Sequence, residues 1–350
     1  MKRILAMLLC LAMVLGMTAC GGETAPESTA PEAGGTSSPE STAPEAGGEV
    51  ITLRASSSTA PSHPYNMGLE KFAELVSERT NGQIKIDIFA NAQLGDERAN
   101  IEDLQMGTLD IAVSSTGPLG NFIEDYLILD LPYLFSGYDH AHAVLDGEIG
   151  QNLMDKLGDL GIVGGAFWEN GFREMTNSKH PINTPEDCKG LKLRCMENQA
   201  HIAAFSALGM DPTPMAWSEV FSALQQGVID GQENPIAVIY SNAVYEAQQY
   251  LAITNHVYSA SMILFSKSTM DKLTPEQQQI LLDASKEVAD YERGLCEDGE
   301  AEQIAEMEQA GLEVTYPDIA LFQEALSGVY DEFAEQFGQE NIDAIRNYQF

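Results

Sequence analysis

Beyond residue 49 the apolar positions fall into short alternating or periodic runs separated by polar turns. Val50-Ile51-Thr52-Leu53-Arg54 and Ile84-Lys85-Ile86-Asp87-Ile88-Phe89 predict strands, the second by clear alternation. Between them Met67, Phe72, Leu75 and Val76 form one stripe of a helix ending near Asn81-Gly82. Ile101 to Met106 predicts a helix, and Leu109 to Val113 a strand running into Ser114-Ser115-Thr116-Gly117-Pro118. Asp130 to Phe135 is an apolar connector, 139–157 is helical, and Gly161 to Trp168 is a buried strand with Glu169-Asn170-Gly171-Phe172-Arg173 at its exit. A capped short helix at Thr184-Pro185-Glu186-Asp187 leads into the strand Gly190-Leu191-Lys192-Leu193-Arg194. Helices over 197–208 and 218–226 follow, then a turn from Gly227 into another strand near Asp230. Ile280, Ala284, Val288, Tyr291 and Leu295 keep helical spacing within a segment from Pro275 to about Gln309, one long helix or two abutting ones. Unbroken, it runs roughly 50 Å. Leu312 to Thr315 and a helix over 320–337 complete the pattern.

Strands and helices in alternation predict an α/β sheet. At 350 residues the chain exceeds one ordinary core and suits two. A helix of roughly 50 Å is longer than one such domain needs, and is suited to backing both as a hinge spine.

The first 49 residues follow a different pattern. Lys2 and Arg3, the apolar run Ile4 to Met17 and then Thr18-Ala19-Cys20 have the form of an export signal, too short for a stable membrane span. The arrangement resembles a bacterial lipoprotein signal with Cys20 as the lipidated residue, although Met17 departs from the usual Leu; a plain secretory signal is the alternative. From 21 to 49 the chain is Pro-, Gly-, Ser- and Thr-rich and acidic, and Glu-Ser-Thr-Ala-Pro-Glu-Ala-Gly-Gly occurs at 27–35 and 40–48. With almost no apolar bulk it cannot offset its ordering entropy, and it predicts a flexible tether of roughly 30 Å.

The formal net charge of −35 argues against nucleic-acid and anionic-lipid partners. In so acidic a chain an anion site must be made basic locally. Five of the 18 Lys and Arg fall between Arg173 and Arg194. Cys188, Cys195 and Cys296 remain beyond the signal, an odd set without CxxC spacing, which predicts buried thiols over a zinc site; a Cys188–Cys195 bridge is the alternative. His140 and His142, two apart on a helix, point to different sides and cannot chelate together, so no metal is expected.

The candidate chemistry is recognition. Arg194 ends a buried strand, and its planar fork matches a carboxylate; Arg173 sits at the exit of a glycine-rich strand. Trp217 opens a helix and is able to cover an apolar ligand face. Asn234, read as a loop residue in Asp-Gly-Gln-Glu-Asn-Pro, offers both a donor and an acceptor. The hydroxyl-rich loops after the first and third strands, with His63 and Ser115, lie where open α/β sheets bind ligands, and Asn170 follows the glycine-rich strand. GxSxG, HExxH, P-loop and CxxCH motifs are absent, and the glycine cluster lacks GxGxxG spacing, so neither an enzyme nor a cofactor is expected.

Trp168 to Asn177, Gly190 to Arg194, Pro212-Thr213-Pro214-Met215-Ala216-Trp217-Ser218-Glu219-Val220, Ala223-Leu224-Gln225 and Asp230 to Pro235 together resemble the solute-binding proteins of tripartite ATP-independent periplasmic (TRAP) transporters. Gln93-Leu94-Gly95-Asp96 and Leu109-Asp110 fit the same pattern, and the resemblance spans roughly 50–340. It implies a two-domain periplasmic-binding-protein-like fold with crossing hinge segments and a long spine helix. Domain I would comprise 50–170 plus about 260–299, and domain II 171–259 plus about 300–350. It implies Arg194 as carboxylate anchor, with Arg173 and Asn234 beside it, Trp217 where Phe is usual, and Ser115 where some relatives carry an acid. Glu197 and Asn198 suit the hydroxyls of a sugar acid such as a uronate. The implied partners are a small organic acid, the membrane permease subunits of the transporter and, through the lipid anchor, the outer face of the membrane. A C4-dicarboxylate ligand, a solute-presenting sensory module and a secreted enzyme are the alternatives.

Overall fold

The computed structural model describes residues 50–350; the signal, Cys20 and the 21–49 tether lie outside them. Ten strands are β1 (Ile51–Ser56), β2 (Ile84–Phe89), β3 (Ile111–Ser115), β4 (Ile162–Asn177), β5 (Lys192–Cys195), β6 (Asp211–Pro214), β7 (Gly231–Pro235), β8 (Tyr250–Ala252), β9 (Tyr258–Ser266) and β10 (Glu313–Thr315). The helices are α1 (Pro64–Arg79), α2 (Glu97–Met106), α3 (Tyr138–Asp146), α4 (Glu148–Lys156), α5 (Gln199–Ala207), α6 (Trp217–Gln225), α7 (Ile236–Ser241), α8 (Lys267–Met270), α9 (Pro275–Gln309), α10 (Ile319–Phe337) and α11 (Gln339–Arg346).

The strands form one continuous sheet in the order β2-β1-β3-β9-β4-β7-β5-β6, with β8 paired to β4 and β10 to β8. At one end β2, β1 and β3 run parallel; at the other β7, β5 and β6 do. The antiparallel strands β9 and β4 join these two halves. Along β4, Ile162 to Phe172 pair with β9, and Arg173 to Asn177 pair with β7 and β8. A single 16-residue strand therefore belongs to both halves, and the change of partner falls at Phe172/Arg173.

Sequence patterning shows only the first part of β4, because Glu169-Asn170-Gly171-Phe172-Arg173-Glu174 looks like a polar exit loop. Each of these residues is buried, and the charged ones are compensated by tertiary partners rather than by solvent. The segment containing Asn234 is likewise strand β7, not a loop. Pro212 and Pro214 lie in β6, the last strand in the sheet order, where a missing donor is tolerated. The predicted helix over 139–157 is two helices, because Gly147 is extended between α3 and α4. On α1 the buried face is Tyr65, Leu69, Phe72 and Val76, while Met67 is only half-buried.

The long C-terminal helix is one unbroken element of 35 residues. Its start is fixed by Pro275 at the first turn and a reciprocal capping box between Thr274 and Gln277. Its first half contributes Leu281, Ala284 and Val288 to a core with Leu69, Phe72, Trp168 and Phe265. Near its other end Met307 packs in a separate core with Val220, Leu224, Ile236 and Leu251.

Two glycines of β4 have packing reasons. A Cβ on Gly165 would lie 2.6 Å from the Phe265 ring, so the glycine cluster serves strand packing. Gly171 has φ +117° at an irregularity of the β4–β9 ladder, and a Cβ there would sit 3.2 Å from Pro235 Cβ. Gly171→Ala is therefore expected to lose roughly 1–3 kcal/mol of stability, read as a lowered urea midpoint at unchanged slope.

Candidate functional site

Arg194 is placed by β5, a central strand held between β7 and β6, so its backbone position is fixed on both sides. The side chain is 4% exposed. Nε and Nη2 both donate to the carbonyl oxygen of Met215, at 2.9 and 2.7 Å, and the guanidinium lies 5.6 Å from the centre of the Trp217 ring. Among the described residues no carboxylate forms an ion pair with it, and Nη1 has no hydrogen-bond partner. Burial presses its pKa below the ordinary arginine value; the charge of Glu233, which is already gripped by Arg173, pulls it back up, and Arg173 adds repulsion. A buried cation without its own anion is costly unless an anion is brought to it.

Arg194 faces a narrow hollow of about 30 Å³ lined by Ser58, Thr59, Tyr65, Glu97, Ser115, Asn170, Met196, Trp217, Asn234 and Val238. A second hollow of the same size adjoins it at Glu97, Arg194, Met196 and Trp217 and extends to Glu197. Two buried polar atoms at the wall, Tyr65 Oη and Asn170 Oδ1, lack a well-formed hydrogen bond. Larger hollows exist, including one of about 520 Å³ beside Arg293, but that arginine is already paired to Asp146 by two bonds of 2.7 and 2.8 Å. The chemistry, rather than the volume, marks the Arg194 slot.

Sequence reasoning thus brings Arg194, Trp217, Asn234, Asn170 and Ser115 to one wall system. Arg173 is different. Its Nε and Nη2 grip Glu233, with Nη2 at 2.8 Å from Oε1, and Nη2 also donates to Asn234 Oδ1 at 3.1 Å. Burial alone would push the Glu233 carboxyl up, but Arg173 and His256 outweigh it and hold it well below the usual carboxylate range. Arg173 is thus charge-compensated and lines neither hollow; its Nη1 is buried without a partner.

Three expectations are corrected by geometry. Asn198 has no free valence: its Oδ1 caps α5 by accepting from Ala200 and His201, and its Nδ2 donates to the Gly117 carbonyl and to Asp130. His63 caps α1, accepting from the Tyr65 amide at 3.2 Å, and burial lowers its pKa to about 3. Neither side chain lines the slot. Glu197 reaches only the outer hollow, where it lies 3.9 Å from Arg98. Cys188, Cys195 and Cys296 are buried and free.

Glu97 was not anticipated. It follows the Gln93-Leu94-Gly95-Asp96 segment, and that adjacency was the available signal. Its carboxylate accepts from the Ser115 amide and hydroxyl, both at 2.7 Å, and burial raises its pKa. Next to it Asp96 binds Ser218 of α6 through its amide at 3.0 Å and its hydroxyl at 2.6 Å. Asn121 Nδ2 donates to the Glu197 carbonyl at 2.6 Å. These bonds tie loops at the β1–β3 end to elements at the β5–β7 end, across the mouth of the slot.

The sequence profile of the DctP group, bacterial extracellular solute-binding protein family 7, matches residues 55–336. This chain belongs to that family. Family 7 proteins are extracytoplasmic binding proteins and not enzymes. The 2,3-diketo-L-gulonate-binding periplasmic protein YiaO of Escherichia coli is 37% identical over 290 residues, covering 82% of this chain and 88% of YiaO. A TRAP periplasmic solute-binding protein from Polaromonas, solved with D-erythronate, is 40% identical with a TM-score of 0.83, covering 85% of this chain and 98% of that one. The sugar acid-binding protein DctPAm of Advenella mimigardefordensis, in complex with galactonate, is 31% identical with a TM-score of 0.83, covering 85% and 97%. The architecture described above is the mixed α/β periplasmic-binding-protein-like fold of these proteins.

The two arginines predict opposite phenotypes. Arg194→Ala is expected to fold normally, since no internal acid is left unpaired, and to lose roughly two to four decades of ligand affinity by calorimetry, the equivalent of ~3–5 kcal/mol. Arg173→Ala strands Glu233 and is expected to lose ~3–5 kcal/mol of folding stability by denaturant titration.

Proposed function

We propose that this family 7 protein captures a hydroxylated monocarboxylate, a sugar acid, in the Arg194 slot and delivers it to the membrane permease subunits of a TRAP transporter. The observation that carries this reading is the pairing of a buried guanidinium that has no ion-pair partner with a half-buried acceptor, Glu97, in one slot. The ligand carboxylate takes the open Nη1 edge of Arg194, while Arg173, which lines neither hollow, orients Asn234 from behind. Its hydroxyls donate to Glu97 and Asn170 Oδ1, and Tyr65 Oη bonds whichever oxygen lies nearest. Trp217 covers the carbon skeleton. A second ligand carboxylate would instead face the Glu97 carboxylate, which disfavours C4-dicarboxylates.

A slot of about 30 Å³ is far below the roughly 300–1,000 Å³ of ordinary small-molecule sites. Ligand therefore enters when the Asp96–Ser218 and Asn121–Glu197 contacts part, and closure restores them around it. The moving bodies in this reading are 50–170 with about 260–299, and 171–259 with about 300–350. They hinge where β4 changes partner and along α9. Water exclusion on closure strengthens the carboxylate–guanidinium attraction.

A thermal-shift and calorimetric screen of erythronate, galactonate, glucuronate, galacturonate and succinate tests the ligand class. The sugar acids are expected to raise the unfolding midpoint, by mass action ~2.7 kcal/mol at a hundredfold excess over Kd, and succinate is not. In Glu97→Gln the sugar acids are expected to weaken at least tenfold while succinate gains. Succinate preferred by the unmodified protein would replace this reading with dicarboxylate transport.

Cys20 is proposed as the lipid anchor, with 21–49 as the spacer that holds the binding module clear of the outer membrane face. Cys20→Ser is expected to move the protein from the membrane fraction to the soluble one, seen by fractionation and by loss of acyl-chain labelling.

A further inference from the structure

Away from the slot, three side chains from distant parts of the chain converge where β4 is about to change partner. His142 comes from α3, Glu169 from β4 and Glu297 from α9. One donor atom from each lies within 4.8 Å of the others. His142 Nε2 is 2.7 Å from Glu169 Oε2 and 4.0 Å from Glu297 Oε1. A divalent cation with bonds of about 2.0–2.2 Å holds its ligand atoms roughly 3–4 Å apart, so modest side-chain rotation suffices.

The cluster is more than a group of surface acids. Glu169 is fully buried, its other oxygen Oε1 has no hydrogen-bond partner, and Tyr258 Oη donates to Oε2 at 3.2 Å. A buried carboxylate oxygen left unsatisfied calls for a partner. The Glu292 carboxyl is fully buried close by and accepts from the Glu169 amide at 2.7 Å. The nearest fixed cation, Arg293, is committed to Asp146. The side chains of His142 and Glu297 are 19% and 36% exposed, which gives an ion a route from solvent to the buried oxygen.

We propose that His142, Glu169 and Glu297 form a divalent transition-metal site, suited to Zn²⁺ by its one imidazole and two carboxylates. The ion cross-links α3, β4 and α9 within one body of the chain, just before β4 changes partner, and so stiffens that side of the junction. His140 takes no part: its Nε2 lies 2.8 Å from the Ile345 carbonyl, on the other side of α3.

The test is calorimetric titration of Zn²⁺ into the chelator-treated protein without organic acid, with Mg²⁺ as a hard-cation comparison. The expected result is one Zn²⁺ per chain, a raised unfolding midpoint, and at least tenfold weaker binding in both His142→Ala and Glu297→Gln. His180→Ala should bind as the unmodified protein does. Both test side chains are partly exposed, so folding is expected to survive, and circular dichroism checks it. Absence of binding at 100-fold molar excess of Zn²⁺, or affinity retained within twofold in either test variant, overturns the proposal. The organic-acid screen reads the Arg194 slot separately, so failure of one site does not decide the other.

Discussion

A guanidinium held in the interior without an acid of its own is the constraint on which this structure turns. Arg194 lies in a central strand, gives two of its donors to one backbone carbonyl and rests against the Trp217 ring. That arrangement restrains the side chain without neutralising it. The missing charge is what the proposed carboxylate ligand would supply. The remaining slot residues work on geometry and selectivity: Glu97 and Asn170 offer acceptors, and Tyr65 a hydroxyl.

The neighbouring Arg173 shows what a neutralised version looks like. It is as deeply buried, yet Glu233, Asn234 and the nearby His256 absorb its charge into a rigid network across β4 and β7. The two arginines thus divide the labour. One braces the floor of the site, including the Asn234 side chain, and the other stays open to the solute. In a chain with net charge −35 this separation matters, because excess carboxylates are plentiful and a flexible arginine would readily be taken by one of them.

In the proposed reading, binding in the slot and hinge motion meet at β4. Its N-terminal part is built into the ladder with β9, its C-terminal part into the ladder with β7 and β8, and Gly171 sits at the irregularity just before the change. α9 contributes to a core near each end of its length. Asp96 and Ser218 link opposite rims of the slot. Opening strains few interior contacts if it is confined to the junction and the rim, which is the economy expected of a hinge.

The alternation of strands and helices and the long C-terminal helical segment were legible in the sequence, because they follow from local periodicity. Arg194, Trp217 and Asn234, each unusual for its local setting, do come together around one hollow. The second half of β4 was not legible: Glu169 to Glu174 is polar, and only partners from β7, β9, α3 and α9 make it a buried strand. Nor could spacing tell that Asn198 is consumed as a helix cap while Glu97 turns inward. His142 gives the same lesson, since its local neighbour His140 points away and its actual companions are 27 and 155 positions along the chain. Local sequence determines which elements form. Which polar groups are left over, and therefore available for function, is decided only when long-range packing has spent the others.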